Sequence, residues 1–380
     1  MSTLLNQLKD GLPASFLMPQ AVIAADDGLS EMLRKAFAAP IDYPALADSI
    51  FPGDQIAIAL HPDVPAGREV ALAVIDYLVD LGIEPADVLL VTAQRMNVDT
   101  SSVSDLPDQW QHVVHNKEDE GTVSYLAANQ AGQPVKINRT LFDADVIIPI
   151  TCRDNLAWPT DIYPEFSDAE TIERFRQTDM SEVDKKSEIR LANEHLGVFV
   201  SLNIIGGPGN EVRAVEFGEK QRCDEAAESL AREIWTIPTR TSVPLVIATL
   251  EDEPESQTWQ QFCAALVAAN EISPGDGQIV VCSELKETPE REMRELLMLP
   301  FEVDQDALWQ QLDAIDEGMQ QVVRILMNRQ VFLQSNLPES IVEELGLGPV
   351  NGWRELNRLV ERAEAGVLLR DAHKIKFCTD

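Results

Sequence analysis

The sequence predicts an α/β protein: two α/β domains with mainly parallel sheets and an interdomain ligand cleft. Three observations lead there. Short apolar runs alternate with amphipathic stretches at helical spacing, the pattern of strands buried on both faces and joined by crossover helices. The alternation breaks near 236–242 and then restarts. At 380 residues the chain is also longer than one core ordinarily serves. The domains are expected at 1–237 and 238–380, with the ligand near the carboxyl ends of strands.

The first expected strand is Gln55 to Leu60, entered through the turn Phe51-Pro52-Gly53-Asp54. Gly67 to Gly82 reads as an amphipathic helix with a glycine stop, and Asp87 to Ala93 as a second buried strand. Together they form one βαβ unit. Residues Ser101 to Asp119 read as polar and irregular. Val135 to Asn138 is a short strand and Ala144 to Ile150 a stronger one. Helices follow at Asp168 to Gln177 and Glu182 to His195, then a strand at Gly197 to Ile205 and a long helix at Glu219 to Trp235. After Pro238 the pattern restarts with a strand at Val243 to Thr249, a helix at Gln257 to Asn270 and a strand at Gln278 to Cys282. Thr288 to Leu297 and Asp306 to Asn328 are helical, and Val331 to Gln334 is a strand. Pro338 to Leu345 and Trp353 to Ala365 are helices, and Val367 to Leu369 is the last strand.

Thirty Lys and Arg stand against 64 Asp and Glu, a net charge of −34 and a pI near 4.4. That surplus repels phosphate backbones and anionic lipid, so nucleic acid and membrane surfaces are not expected partners. No apolar run approaches the roughly 20 residues of a membrane-spanning helix, and Met1 to Asp10 lacks a signal-peptide pattern. The five cysteines (Cys152, Cys223, Cys263, Cys282, Cys378) are scattered and odd in number, with no CxxC pair. A disulfide framework and a thiolate zinc site are therefore not expected, and the chain reads as reduced and cytoplasmic.

Few motifs carry chemistry. Gly206-Gly207-Pro208-Gly209 follows a strand but lacks the Lys-Ser/Thr of a phosphate loop, so it reads as a turn. None of the five histidines (His61, His112, His115, His195, His373) has HxxxH or HxH spacing, so no metal site is expected. His112 and His115 fall in the polar stretch and read as surface residues; His195 reads as helix surface or C-terminal capping. No Gly-x-Ser-x-Gly elbow is present. Arg68, Arg95 and Arg153 each follow a strand end and suit an anion site. Pairing with nearby acids such as Asp63, Glu69 and Asp154 accounts for them equally well.

Several segments resemble the nickel-dependent lactate racemase family. The stretch Ala36 to Leu60 (AFAAPIDYPALADSIFPGDQIAIAL) is similar to the family's approach to its first strand, and Gly67 to Ala93 to the helix and strand that follow. Ala131 to Ile150 (AGQPVKINRTLFDADVIIPI) and Val331 to Val360 are similar to later segments, so the likeness covers nearly the whole chain. It implies a two-domain α/β fold with the active site in the interdomain cleft. It also implies hydride chemistry on a 2-hydroxy acid, with a nickel pincer derived from nicotinic acid mononucleotide and held covalently to a lysine. In the family two histidines move the hydroxyl proton, an arginine after an Asp-x-Thr-Arg turn grips phosphate, and a Gln and a Lys of the second domain hold the substrate carboxylate.

Carried over residue by residue, most of this set is missing. The phosphate arginine falls on Pro65 in His61-Pro62-Asp63-Val64-Pro65, and the first histidine near Asn97, beside Arg95. The second histidine and the lysine belong to a stretch that matches Cys152 to Phe175, which holds no His, Gly or Lys. No lysine occurs between Lys136 and Lys185, so no register restores a covalent pincer. The nickel-ligating histidine falls around Val183 to Ser187, where there is none, and His195 lies about two turns too late. One piece survives: Glu251 to Leu266 aligns with Gln261 on the substrate-binding glutamine and Ala264 on the partner lysine. Gln261 is equally well read as an ordinary polar helix residue.

No cofactor is expected on this reading, since the nickel-pincer nucleotide of the family lacks its attachment lysine here. The favoured function is a family member that has lost pincer chemistry and binds a small anionic metabolite, resembling a 2-hydroxy acid, through Gln261 with Arg68, Arg95 or Arg153. Arg95, Asn97 and Asp154 are the catalytic candidates, and Trp158 of the altered loop joins the substrate-binding set. Two alternatives stand beside it: an active 2-hydroxy-acid racemase or epimerase with a rearranged or non-covalent cofactor, and a non-catalytic protein whose acidic surface binds a basic partner.

Overall fold

A computed structural model describes residues 7–8, 11–13, 15–17, 28–93, 110–153, 161–176, 180–238, 242–251, 254, 257–302 and 317–378. The fold is mixed α/β with mainly parallel sheets, and the chain divides into two compact units, 23–234 and 1–22 with 235–380. The short strand β1 (Phe16–Leu17) thus precedes the first unit in sequence and belongs to the second.

The first unit opens with helix α1 (Leu29–Ala38) and the single turn α2 (Leu46–Ser49), then strand β2 (Ile56–Leu60). Helix α3 (Gly67–Asp80) buries Val70, Ala71, Val74, Ile75 and Leu78, one stripe at helical spacing, and Gly82 at φ +88° lets the chain leave it. Strand β3 (Val88–Ala93) completes the βαβ unit expected from the sequence. Strand β4 (Gln111–His115) corrects the irregular reading of 101–119 over its described part. Its mixed residues Gln-His-Val-Val-His suit an edge strand, which needs no continuous apolar run. The antiparallel pair β5 (Val123–Ala128) and β6 (Pro134–Asn138) follows, then helix α4 (Arg139–Asp143) and strand β7 (Val146–Arg153). Helices α5 (Ile162–Glu165), α6 (Ala169–Arg176) and α7 (Glu182–Leu196) lead to strands β8 (Val200–Gly206) and β9 (Val212–Glu219) and helix α8 (Lys220–Trp235).

The main sheet of this unit has the order β4-β3-β2-β7-β8-β9, parallel except for β9. Alternation along β2 feeds two cores. Ile56, Ile58 and Leu60 pack with Phe37, Val70, Val74 and Leu78, while Ala57 and Ala59 pack with Ile137, Tyr163, Phe166 and Phe175. The chain moves outward from β2 to β4, then returns and moves outward again from β7. The switch point of the sheet therefore lies between β2 and β7.

The second unit carries the short strand β10 (Thr236–Pro238), strand β11 (Leu245–Thr249), helix α9 (Trp259–Glu271) and strand β12 (Gln278–Cys282). Helices α10 (Arg291–Glu302) and α11 (Glu317–Asn328) precede β13 (Val331–Gln334), α12 (Glu339–Glu344), β14 (Gly348–Pro349), α13 (Trp353–Arg362), β15 (Gly366–Leu369) and β16 (Lys376–Cys378). Its sheet has the order β1-β15-β11-β12-β13-β14, parallel throughout, and its switch point lies between β11 and β15. Gly366 is required where β1 docks: a Cβ there would sit 2.2 Å from the Phe16 ring. Among the described residues, no helix is long and apolar enough to cross a membrane.

Candidate functional site

In a doubly wound sheet, the carboxyl ends of the strands flanking the switch point form the natural ligand edge. In the first unit that edge is built by the exit of β2. His61 is buried; its backbone N–H donates to the Ile150 carbonyl (2.9 Å), and its Nδ1 accepts the Asp63 N–H (3.1 Å). Ala66, in the left-handed region at φ +48°, turns the chain into α3, and its N–H donates to Asn210 Oδ1 (2.9 Å). Asn210 lies on the turn between β8 and β9, so the Gly206–Gly209 run is a turn, as its sequence predicts, and it joins an antiparallel pair that the sequence reading lacks. Arg68 follows in the first turn of α3, half-buried, and makes no ion pair among the described residues.

Arg153, at the end of β7, is 4% exposed and is engaged inside the fold. Its Nη2 lies 3.1 Å from Asp224 Oδ2, and its Nη1 donates to the Cys152 carbonyl at 3.0 Å. Lys220 Nζ bridges Asp161 (2.7 Å) and Asp224 (3.0 Å), so two cations and two carboxylates balance. Asp224 Oδ1 also accepts from Ser201 Oγ and Asn203 Nδ2, both at 2.8 Å. Burial opposes ionisation of Asp224, but Lys220 and Arg153 outweigh it and hold the carboxyl below its usual range. Burial likewise opposes the charge on Lys220, and Asp161 with Asp224 raises its pKa nonetheless. Among the described residues, the ion-pair partner of Arg153 is Asp224 of α8, distant from it in sequence.

Gln261 is the third residue of α9 and closes a capping box with Thr258. Its Oε1 accepts the Thr258 N–H at 2.9 Å, while its own N–H donates to Thr258 Oγ1 at 3.2 Å. Arg95, Asn97, Asp154 and Trp158 lie outside the described residues. Of the histidines, His115 is not a surface residue: it is buried on β4, between the Ser167 carbonyl (2.7 Å) and the Asn138 amide (3.1 Å). His112 on the same strand meets Thr92 Oγ1 at 2.9 Å, and His195 is exposed in the last turn of α7. Among the described residues, no three His, Cys, Asp or Glu side chains gather as metal ligands.

Two polar clusters were not foreseen. At the switch point of the second sheet, Glu251 is buried and accepts from Thr249 Oγ1 (2.9 Å) and Arg370 Nε (2.8 Å), with a second close contact to Arg370 Nη2. Its backbone N–H donates to Asp371 Oδ1 (2.7 Å), and Asp371 sits in the left-handed region at φ +47°. In the first unit, Glu188 of α7 accepts Arg174 Nη1 (2.7 Å) and Nη2 (2.6 Å), Tyr163 Oη (2.5 Å) and Asn129 Nδ2 (2.8 Å). Burial opposes ionisation of Glu188, but these donors prevail and lower its pKa, while burial and Glu188 push the Tyr163 hydroxyl up. The only sequence signal for either cluster is a charged residue on an otherwise half-apolar element.

The strand order, switch point and antiparallel edge define a doubly wound α/β domain. Residues 2–152 match the family model described as the lactate racemase N-terminal domain. The whole chain is similar in structure to the lactate racemase apoprotein from Thermoanaerobacterium thermosaccharolyticum, with a TM-score of 0.66 and 15% identity over 97% of this chain and 96% of that one. It is also similar to a protein from Thermotoga maritima, with a TM-score of 0.56 and 14% identity over 93% and 97% of the two chains. At such identities the likeness is one of fold. No curated protein matches the sequence.

Proposed function

We propose that this chain is a lactate racemase-like protein that binds a small anionic ligand of the 2-hydroxy-acid class and has lost nickel-pincer chemistry. The observation that carries this reading is Arg68. It stands in the first turn of α3, beside the switch point, as a half-buried cation without an ion pair among the described residues. Guanidinium and helix N-terminal N–H groups both favour a carboxylate. Arg153 supports the edge from within, tied to Asp224 and so positioned rather than offered to a ligand.

The donor set does not fit the family's cofactor. A covalent pincer needs a lysine on the segment after β7, and none occurs between Lys136 and Lys185. Of the described histidines, His115 is held by structural partners and His195 stands on the surface. The proposed activity is therefore binding, with substrate charge met by Arg68.

Calorimetric titration of the full chain with lactate and a panel of longer 2-hydroxy acids tests this. Saturable binding is expected, and Arg68→Ala should weaken it by about tenfold or more, the loss of one charge-assisted hydrogen-bonded pair. Binding that Arg68→Ala leaves unchanged, or no binding across the panel, overturns it. Whole-length similarity in fold to a lactate racemase apoprotein favours one second reading, an active racemase with a rearranged or non-covalent cofactor. That reading requires exchange of the α-hydrogen of a hydroxy acid with solvent deuterium, which the binding reading does not.

A further inference from the structure

A trough of about 630 Å³ runs along one face of α7, walled on the other side by the turn between β5 and β6. Its floor is finished. Glu188 of α7 is met by donors from three separate places, Arg174 on α6, Tyr163 on α5 and Asn129 on the β5–β6 turn. Asn129 Oδ1 in turn accepts the N–H groups of Ala131 (3.0 Å) and Gln133 (2.9 Å), which fixes the turn.

The charged residues of the lining are Arg174 of α6 and Asp184, Glu188, Arg190 and Glu194 of α7. Arg174 is neutralised by Glu188, and Arg190 lies 3.8 Å from Glu194 one turn along the helix. Among the described lining residues the surplus is one negative charge, on Asp184. That carboxylate accepts one hydrogen bond, from Ser181 Oγ at 2.6 Å, and remains exposed at the mouth of the trough. Ser187 stands three residues on along the same face, half-buried, Leu191 stands four further on, and Met180, before the helix, also lines the trough. One carboxylate, one hydroxyl and an aliphatic pad in line match an ammonium group carried on an alkyl chain.

We infer that this trough is a binding site for a small aliphatic amine, with Asp184 as the counter-charge, Ser187 as a hydrogen-bond partner and Met180 with Leu191 against the alkyl chain. The site uses none of the residues of the Arg68 edge, so it stands or falls apart from the anion reading. The net charge of −34 concentrates cations near the whole surface, and the test must separate that general attraction from a site.

The experiment is a calorimetric titration of the full chain with 1,4-diaminobutane at physiological salt, repeated on Asp184→Asn, Leu191→Ser and Glu118→Gln. Glu118→Gln removes one exposed charge outside the trough. Saturable one-site binding is expected, weakened about tenfold in Asp184→Asn and measurably in Leu191→Ser, and unchanged in Glu118→Gln. Thermal unfolding confirms that each variant is folded before titration. Absence of saturation in the wild type, or equal weakening by Asp184→Asn and Glu118→Gln, overturns the inference.

Discussion

The two sheets end differently at their switch points. Beside β2 and β7 the half-buried cation Arg68 has no ion pair among the described residues, whereas beyond β11 and β15 the cation Arg370 is clamped by the buried carboxylate of Glu251. Among the described residues, the same architectural position thus holds an unpaired cation in one unit and a paired one in the other. A sheet edge becomes a binding site only where the chain leaves charge or hydrogen-bonding capacity unspent. The second edge has little left: Thr249, Glu251, Arg370 and Asp371 are tied to one another.

The sharpest way to break that comparison is to unclamp the filled edge. Arg370→Ala leaves Glu251 buried without its cation, and an uncompensated buried charge costs about 3–5 kcal/mol. Urea unfolding should show that loss, and a change below about 1 kcal/mol would mean the pair is no internal clamp. Arg68→Ala is the counterpart at the open edge. It should leave urea unfolding within about 0.5 kcal/mol of wild type, because no ion pair among the described residues is broken.

A smaller effect concerns His115, on the edge strand of the same sheet. Asn138 Oδ1 caps α4 by accepting from Thr140 and Leu141, so its amide nitrogen must be what meets His115 Nδ1. The ring is then neutral, with Nε2–H donating to the Ser167 carbonyl. Burial lowers its pKa against the opposing pull of that carbonyl and of Asp168, which is itself paired with Lys136. The unfolded chain therefore binds the extra proton first. Stability should be unaffected above about pH 6.5 and fall as pH drops below it. His115→Gln should reduce that slope between pH 7 and 5; an unchanged slope would show that His115 does not titrate this way. The smallest effect is at Gln261: breaking its capping box with Thr258→Ala should cost about 1 kcal/mol in thermal or urea unfolding.

How far the sequence reveals this molecule depends on the range of the interaction. The unit of β2, α3 and β3 was legible because apolar runs and a helical stripe are local signals, as were the restart at Val243 and the turn at Gly206–Gly209, though not the strand β9 beyond it. Strand β4 was not, because an edge strand half-faces water and carries a polar pattern. The two-residue strand β1 has no periodicity to read, and only Gly366 under Phe16 hints at its partner. The candidate cations divide in the same way. Arg68 was visible as a charge following a strand, but the pairing of Arg153 with Asp224, and of Glu251 with Arg370, joins residues far apart in sequence. A single sequence cannot choose among so many acids.

The most direct test of the central claim is native mass spectrometry with elemental analysis on the protein purified from its own cells. The account predicts the mass of the polypeptide, with or without a small organic acid that dissociates on activation, and no stoichiometric nickel. A covalent adduct of a few hundred daltons together with nickel would contradict it and return the chain to pincer chemistry.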